Sequence, residues 1–181
     1  MLNKILVALD RSEIGQQVFE QALVLAKATQ AKLLLLHVLS PEEEGSPHMP
    51  MISSYDYYPG LSGQSFEVYQ KQWDSFKSEG LAMLQSLSAK ANQAEVSTEF
   101  AQTVGNPGRA ICKLATTWDA DLIVMGHRGL SGLRELFLGS VSNYVLHHAP
   151  CSVHIVRGLV TIPPSEFPTT SYPSLISKVS K

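Results

Sequence analysis

Three stretches of the chain are apolar almost without interruption: Ile5–Leu9, Leu33–Val38 and Leu122–Met125. Runs of four to six such residues predict strands buried on both faces of a parallel sheet. Two further stretches alternate instead. Val96, Phe100 and Val104 stand against Ser97, Glu99 and Thr103, and Val153 and Ile155 stand against Ser152 and His154. Alternation predicts strands covered on one side, so Val96–Val104 and Ser152–Val156 are read as edges.

Helical periodicity fills the spaces between these strands. Ile14, Val18, Ala22 and Leu25 make one stripe, with Ser12 placed to cap it. Tyr69, Trp73, Phe76, Gly80, Met83 with Leu84, Leu87 and Ala91 make a longer one. Asn106-Pro107 opens a third helix carrying Ile111, Leu114 and Trp118, with an Asn cap and a proline in its first turn. Gly139-Ser140 opens a fourth, through Val141 and Val145, which stops before Pro150.

The order is strand then helix, four times over, closed by a fifth strand. Such alternation predicts an α/β fold, an open parallel five-stranded sheet with right-handed crossovers and helices on both faces. Two segments fall outside the pattern: a loop rich in Pro, Gly, Ser and Tyr at 41–63, and a Pro/Ser/Thr-rich tail at 158–181. The tail carries Leu159, Val160, Ile162, Phe167, Leu175, Ile176 and Val179, too many apolar residues for a solvating linker, and is expected to pack on a subunit surface.

Composition narrows the function classes. The 181 residues carry a formal net charge of −2 and no basic block, which argues against a nucleic-acid partner. The only cysteines, Cys112 and Cys151, form no CxxC pair, and a reducing compartment suits them. The apolar start is too short for a signal peptide, and Ala22–Ala26 is far too short for a membrane span. The expectation is a cytoplasmic protein with no membrane contact.

Chemistry concentrates after the fourth strand, in GHRGLSGLRELFLGS, residues 126–140. In an open parallel sheet, ligands bind beyond the carboxyl ends of the strands, where strand order reverses. With the first strand central, Asp10, Val38 and Gly126 meet there. Gly126 and Gly129 allow close backbone approach and positive φ, and Gly139-Ser140 begins a helix whose free N–H groups favour an anion. Ser140 and Ser142 add hydroxyls, and Arg128 and Arg134 add positive charge. Two readings stand: turn punctuation, or a cradle for a polyphosphate.

The spacing Gly126-x2-Gly129-x9-Gly139-Ser140 resembles the nucleotide-binding signature of the universal stress protein family. KILVALDRSE, LLLLHVLS, DLIVMG and CSVHIVR match the same pattern, so the resemblance covers residues 1–157. It implies a Rossmann-like domain with strand order 3-2-1-4-5, a homodimer paired through the last strand, and the ATP-binding branch. It also implies site residues. Ala8, Leu9 and Asp10 would line the adenine and ribose side, with the backbone of Val38 at the adenine edge. Met125, Gly126, Arg128 and Gly129 would form the ribose and phosphate turn, and Gly139, Ser140, Val141 and Ser142 the phosphate-binding helix start. The ligand implied is ATP or AMP, with magnesium accompanying the phosphates. His127 and Arg11 depart from the pattern, where a small residue and a glycine are common.

Alternatives within the same crevice are a slow ATPase or self-phosphorylating protein, and a dimeric adaptor whose site stays empty. No GxxxxGK[ST], GxGxxG or GxSxG motif occurs, and no catalytic residue is assigned. His147 and His148, adjacent on a helix, point about 100° apart and do not suit one metal ion. His37 and His154 are read as core or interface residues with satisfied ring nitrogens, and both cysteines as packing. Tyr55, Tyr57 and Tyr58 suit stacking on a base, but are read as covering a partner surface or the domain itself.

Overall fold

The computed structural model describes residues 1–48, 59–127 and 139–157. The loop tyrosines, Arg128, Gly129, Arg134 and the tail lie outside the described residues. The described elements are β1 (Lys4–Leu9), α1 (Glu13–Thr29), β2 (Lys32–Leu39), α2 (Pro59–Gln93) and β3 (Thr98–Val104). They continue with α3 (Pro107–Trp118), β4 (Leu122–His127), α4 (Ser140–His148) and β5 (Ser152–Arg157). Pro59–Gly63, expected at the end of the loop, belongs to α2; proline's fixed φ suits a first helical turn.

All five strands are parallel, in the order β3-β2-β1-β4-β5. Right-handed crossovers then place α1 and α2 on one face and α3 and α4 on the other. Two cores result. Leu33 and Leu35 pack with Val18, Phe19, Leu84 and Leu87 on the α1/α2 side. Leu34, Leu36 and Val38 pack with Ile111, Ala115 and Val145 on the α3/α4 side. One continuous apolar run serves both layers because successive side chains of a strand face opposite ways.

The caps behave as their residue types dictate. Ser12 Oγ accepts the N–H of Gly15, and Asn106 Oδ1 accepts that of Arg109 at 3.1 Å. Along α2 the apolar stripe is buried from Phe76 through Leu84, Leu87 and Ala91. Its first residues, Tyr69 and Trp73, are only partly buried, and Phe66 and Val68 before them are exposed, because 35 helical residues span about 50 Å and outrun a seven-residue strand of about 23 Å.

The outer strands correct one expectation. Val96 is buried just before β3, but Phe100 and Val104 are 39% and 64% exposed. Phe100 and Val104 share a face with Gln102, whose amide reaches the backbone of α2 at Lys77. The strand has a neighbour on one side only, and α2 leaves the outermost side chains open to water. In β5, Val153 and Ile155 pack partly buried on the α3/α4 core, while His154 is exposed and its Nε2 pairs with Gln21 Oε1 at 2.9 Å. Cys112 and Cys151 pack partly buried against the same core, and burial pushes both thiols up.

At the amino ends of the strands, Asp121 Oδ2 accepts the N–H groups of Asn3 (2.7 Å) and Lys4 (3.0 Å). These bonds hold its carboxyl below the usual carboxylate range. A depressed folded-state pKa means stability that is present above the unfolded value of about 4 and is lost as pH falls through the folded value. Asp121→Ala is therefore expected to lower the melting temperature at pH 7. The difference from the unsubstituted protein should shrink as the pH is taken down through the carboxylate range in parallel melts.

Candidate functional site

A cleft of about 210 Å3 opens above the carboxyl ends of β1, β2 and β4. Its position follows from pairing. Ala8 of β1 is in register with Leu36 of β2 on one side and Met125 of β4 on the other, and these three residues lie in the cleft lining. Beyond them the chain leaves β1 toward one face of the sheet and β4 toward the other, so the layers part and leave a gap.

The remaining walls come from both layers. Ile14, Gly15 and Val18 of α1 close one side, and Pro107 and Ile111 of α3 the other. With Val38, Met125 and Val141 they make the interior an apolar slot. The β1–α1 turn is tight: the carboxylate of Asp10 accepts the N–H of Ser12 at 3.1 Å and also the Ser12 hydroxyl.

The first turn of α4 forms the opposite end. Gly139 is its N-cap and offers no side chain to the helix. The backbone N–H groups of Ser140, Val141 and Ser142 have no intrahelical acceptor in the first turn, and the helix dipole adds positive potential there. Gly139 has φ −55, and a Cβ built on it meets nothing within 4 Å among the described residues. Neither backbone strain nor packing against those residues therefore demands glycine here.

Ala8, Leu9, Asp10, Val38, Met125, Gly126, Gly139, Ser140, Val141 and Ser142, all singled out from sequence, line this one cleft. Arg128 and Gly129 lie outside the described residues. Two details differ from expectation. Gly126 is an extended residue of β4 and is not in the positive-φ region, since the strand continues to His127. A Cβ there would come within 2.7 Å of Ile14, so its glycine admits α1 closely. Ser142 is buried and its hydroxyl donates to the Gly126 carbonyl at 3.2 Å, bracing α4 against β4.

Among the described residues His127 is buried and does not line the cleft. His148 stacks on Tyr144 at 4.0 Å and its Nδ1 donates to the Tyr144 carbonyl at 2.8 Å. Sequence reading missed Ser40, Glu42 and Glu43, which form a polar wall just after β2. The switch-point rule that pointed to Val38 applies equally to the residues following it, but those lay in a segment with no periodicity to place them.

These features define a Rossmann-like α/β domain with its cleft at the reversal of strand order. The model of the universal stress protein family matches residues 1–157, and the chain belongs to that family. A relative from Synechocystis, the universal stress protein Sll1388, is 39% identical over 155 residues, 85% of this chain and 97% of the relative. Among solved structures, a universal stress protein in complex with cAMP is similar with a TM-score of 0.56 and 25% identity, covering 86% of this chain and 97% of that one. A family member from Arabidopsis thaliana with AMP bound gives a TM-score of 0.58 at 23% identity, covering 93% and 97%. No helix among the described residues is long and apolar enough to cross a membrane.

The space around Gly139 among the described residues leads to a stability prediction. Gly139→Leu should shift the unfolding free energy by no more than about 0.5 kcal/mol in a urea titration, as a surface substitution does. A larger loss would restore the turn-only reading of this glycine.

Proposed function

We propose that the chain is an adenine-nucleotide-binding regulatory protein of the stress response, taking ATP or AMP in the cleft and acting as a homodimer. The observation that carries this reading is the uncapped start of α4 at Gly139. A helix that leaves its first N–H groups without a side-chain cap, behind a glycine that no packing among the described residues requires, suits an anion brought close to the backbone. The apolar slot between that end and β2 suits a flat base, with Val38 and Ala8 against it and Asp10 toward the ribose. The AMP and cAMP complexes of similar folds support the same class of ligand. ATP brings magnesium on its own phosphate oxygens.

In this reading Gly126, Arg128, Gly129, Gly139, Ser140, Val141 and Ser142 surround the phosphates, with Ser142 acting through its brace on Gly126. Calorimetric titration with ATP and with AMP tests it. Gly139→Leu should weaken both by tenfold or more while the melt stays native, because the side chain fills the approach to the N–H groups. Ser140→Ala should cost less, about 0.5–1.5 kcal/mol for one neutral hydroxyl donor and somewhat more against a charged phosphate. Unchanged affinity in a folded Gly139→Leu protein sinks the cradle.

Dimerisation rests on β5, a terminal strand whose outer backbone groups have no strand beside them among the described residues. Such an edge is ordinarily paired or covered. Antiparallel pairing of two β5 strands is the arrangement proposed. Sedimentation at micromolar concentration should give twice the chain mass; a monomer there removes the dimer.

A further inference from the structure

The wall after β2 is not accounted for by the glycine signature. Glu43 lies in it with a side chain only 5% exposed, and its two carboxylate oxygens stand 2.9 and 3.0 Å from Nε2 of His37. His37 is wholly buried, on the α1/α2 face of β2. The segment is held by turn hydrogen bonds, from Glu43 N–H to the Ser40 carbonyl at 3.1 Å and from Ser46 N–H to the Glu43 carbonyl at 3.0 Å.

The polar chain behind Glu43 fixes where the imidazole proton sits. Gln102 Nε2 is 3.0 Å from the carbonyl oxygen of Lys77, which only accepts, so that end of the side chain is the amide nitrogen. The same nitrogen is 3.1 Å from His37 Nδ1, and an amide nitrogen does not accept, so Nδ1 does. The ring proton is on Nε2 and points at Glu43. Room for the ring is made by α2, where a Cβ on Gly80 would overlap the imidazole and stand 2.6 Å from Gln102 Nε2. Glycine is a poor residue in a helix interior, and buried polar pairs are weak sources of stability. Three elements thus combine to hold one acid at the cleft.

A carboxylate has about four acceptor positions, and a single shared N–H leaves the others for a ligand. The cleft then offers carboxylate acceptors beside the Ser40 hydroxyl at the Glu43 wall, is apolar along its floor, and is rich in N–H donors at α4. We propose that Glu43 reads the base: its carboxylate accepts a hydrogen bond from the exocyclic 6-amino group of a purine nucleotide, with His37 and Gln102 as positioning residues. This rests on the adenine-nucleotide reading above and adds the group that selects the base.

The test is calorimetric titration with AMP and with purine ribonucleoside 5′-monophosphate, which has hydrogen in place of the amine. GMP is a poor probe, since its own N–H groups also suit a carboxylate. The unsubstituted protein should bind AMP about tenfold more tightly than the deaminated analogue, as one hydrogen bond to a charged acceptor implies. Glu43→Gln keeps an oxygen for the His37 N–H and turns an NH2 toward the cleft, so the ratio should fall to near one. Gln102→Leu, which removes the bond that fixes the His37 proton, should lower AMP affinity and leave that of the analogue unchanged; a merely structural role would weaken both. Equal affinities in the unsubstituted protein, or a full ratio in natively melting Glu43→Gln, overturn base reading by Glu43. Binding of neither nucleotide overturns the nucleotide reading itself, and this one with it. The first comparison needs no variant to fold.

Discussion

β1 is hydrogen-bonded on both sides, to β2 through Lys4–Leu9 and to β4 through Ile5–Ala8, and both pairings are parallel. Everything else in the structure hangs on that central position. Parallel neighbours require crossover helices, and the right-handed rule sends those on one side of β1 above the sheet and those on the other side below it. Where the chain diverges, at the carboxyl ends of β1 and β4, the two helical layers part, and a cleft is left with Ala8, Leu36 and Met125 in one row. The site follows from the topology before any side chain in it is chosen.

The side chains then give the cleft a direction. Its α4 end offers backbone N–H groups from a helix start whose cap is a glycine. Its β2 end offers carboxylate oxygens, with Glu43 held by His37 and Gln102. Between them the lining is apolar. A molecule with an anionic group at one end, a flat ring in the middle and an N–H donor at the far end matches all three regions at once, and an adenine nucleotide has that form.

The two halves of the cleft rest on different supports. The α4 end is braced locally, by Ser142 on Gly126 across β4. The β2 end is braced at long range, through β3 and the Gly80 region of α2. Helix α2 also carries Phe76, which lies 4.7 Å from the Arg11 guanidinium, and Glu79, which pairs with the same Arg11 just after β1. A shift of α2 would thus be felt at the β2 wall and the β1–α1 turn together, while the α4 end would be left in place.

The strands, their order of burial and the helix caps were legible in the sequence because each is a local pattern, and the ten described cleft residues were legible through the switch-point rule and the family resemblance together. An apolar run marks a buried strand wherever it lies, Ser12 and Asn106 cap whatever helix follows them, and the Gly-Ser pair at 139–140 announces a helix start. Three things were decided only by the tertiary structure. Phe100 and Val104 alternate like core residues yet are exposed, since coverage depends on where α2 passes. Turn punctuation and an anion cradle both stood for Gly139 until its φ, and the space around it among the described residues, showed no conformational need there. Glu43 sat in a segment without periodicity; its partner His37 is 6 residues away, and the Gln102 that meets His37 lies 65 residues beyond that histidine. Local sequence records which conformation a residue favours; which distant groups it meets is set by strand order and helix placement, and those exist only in the folded chain.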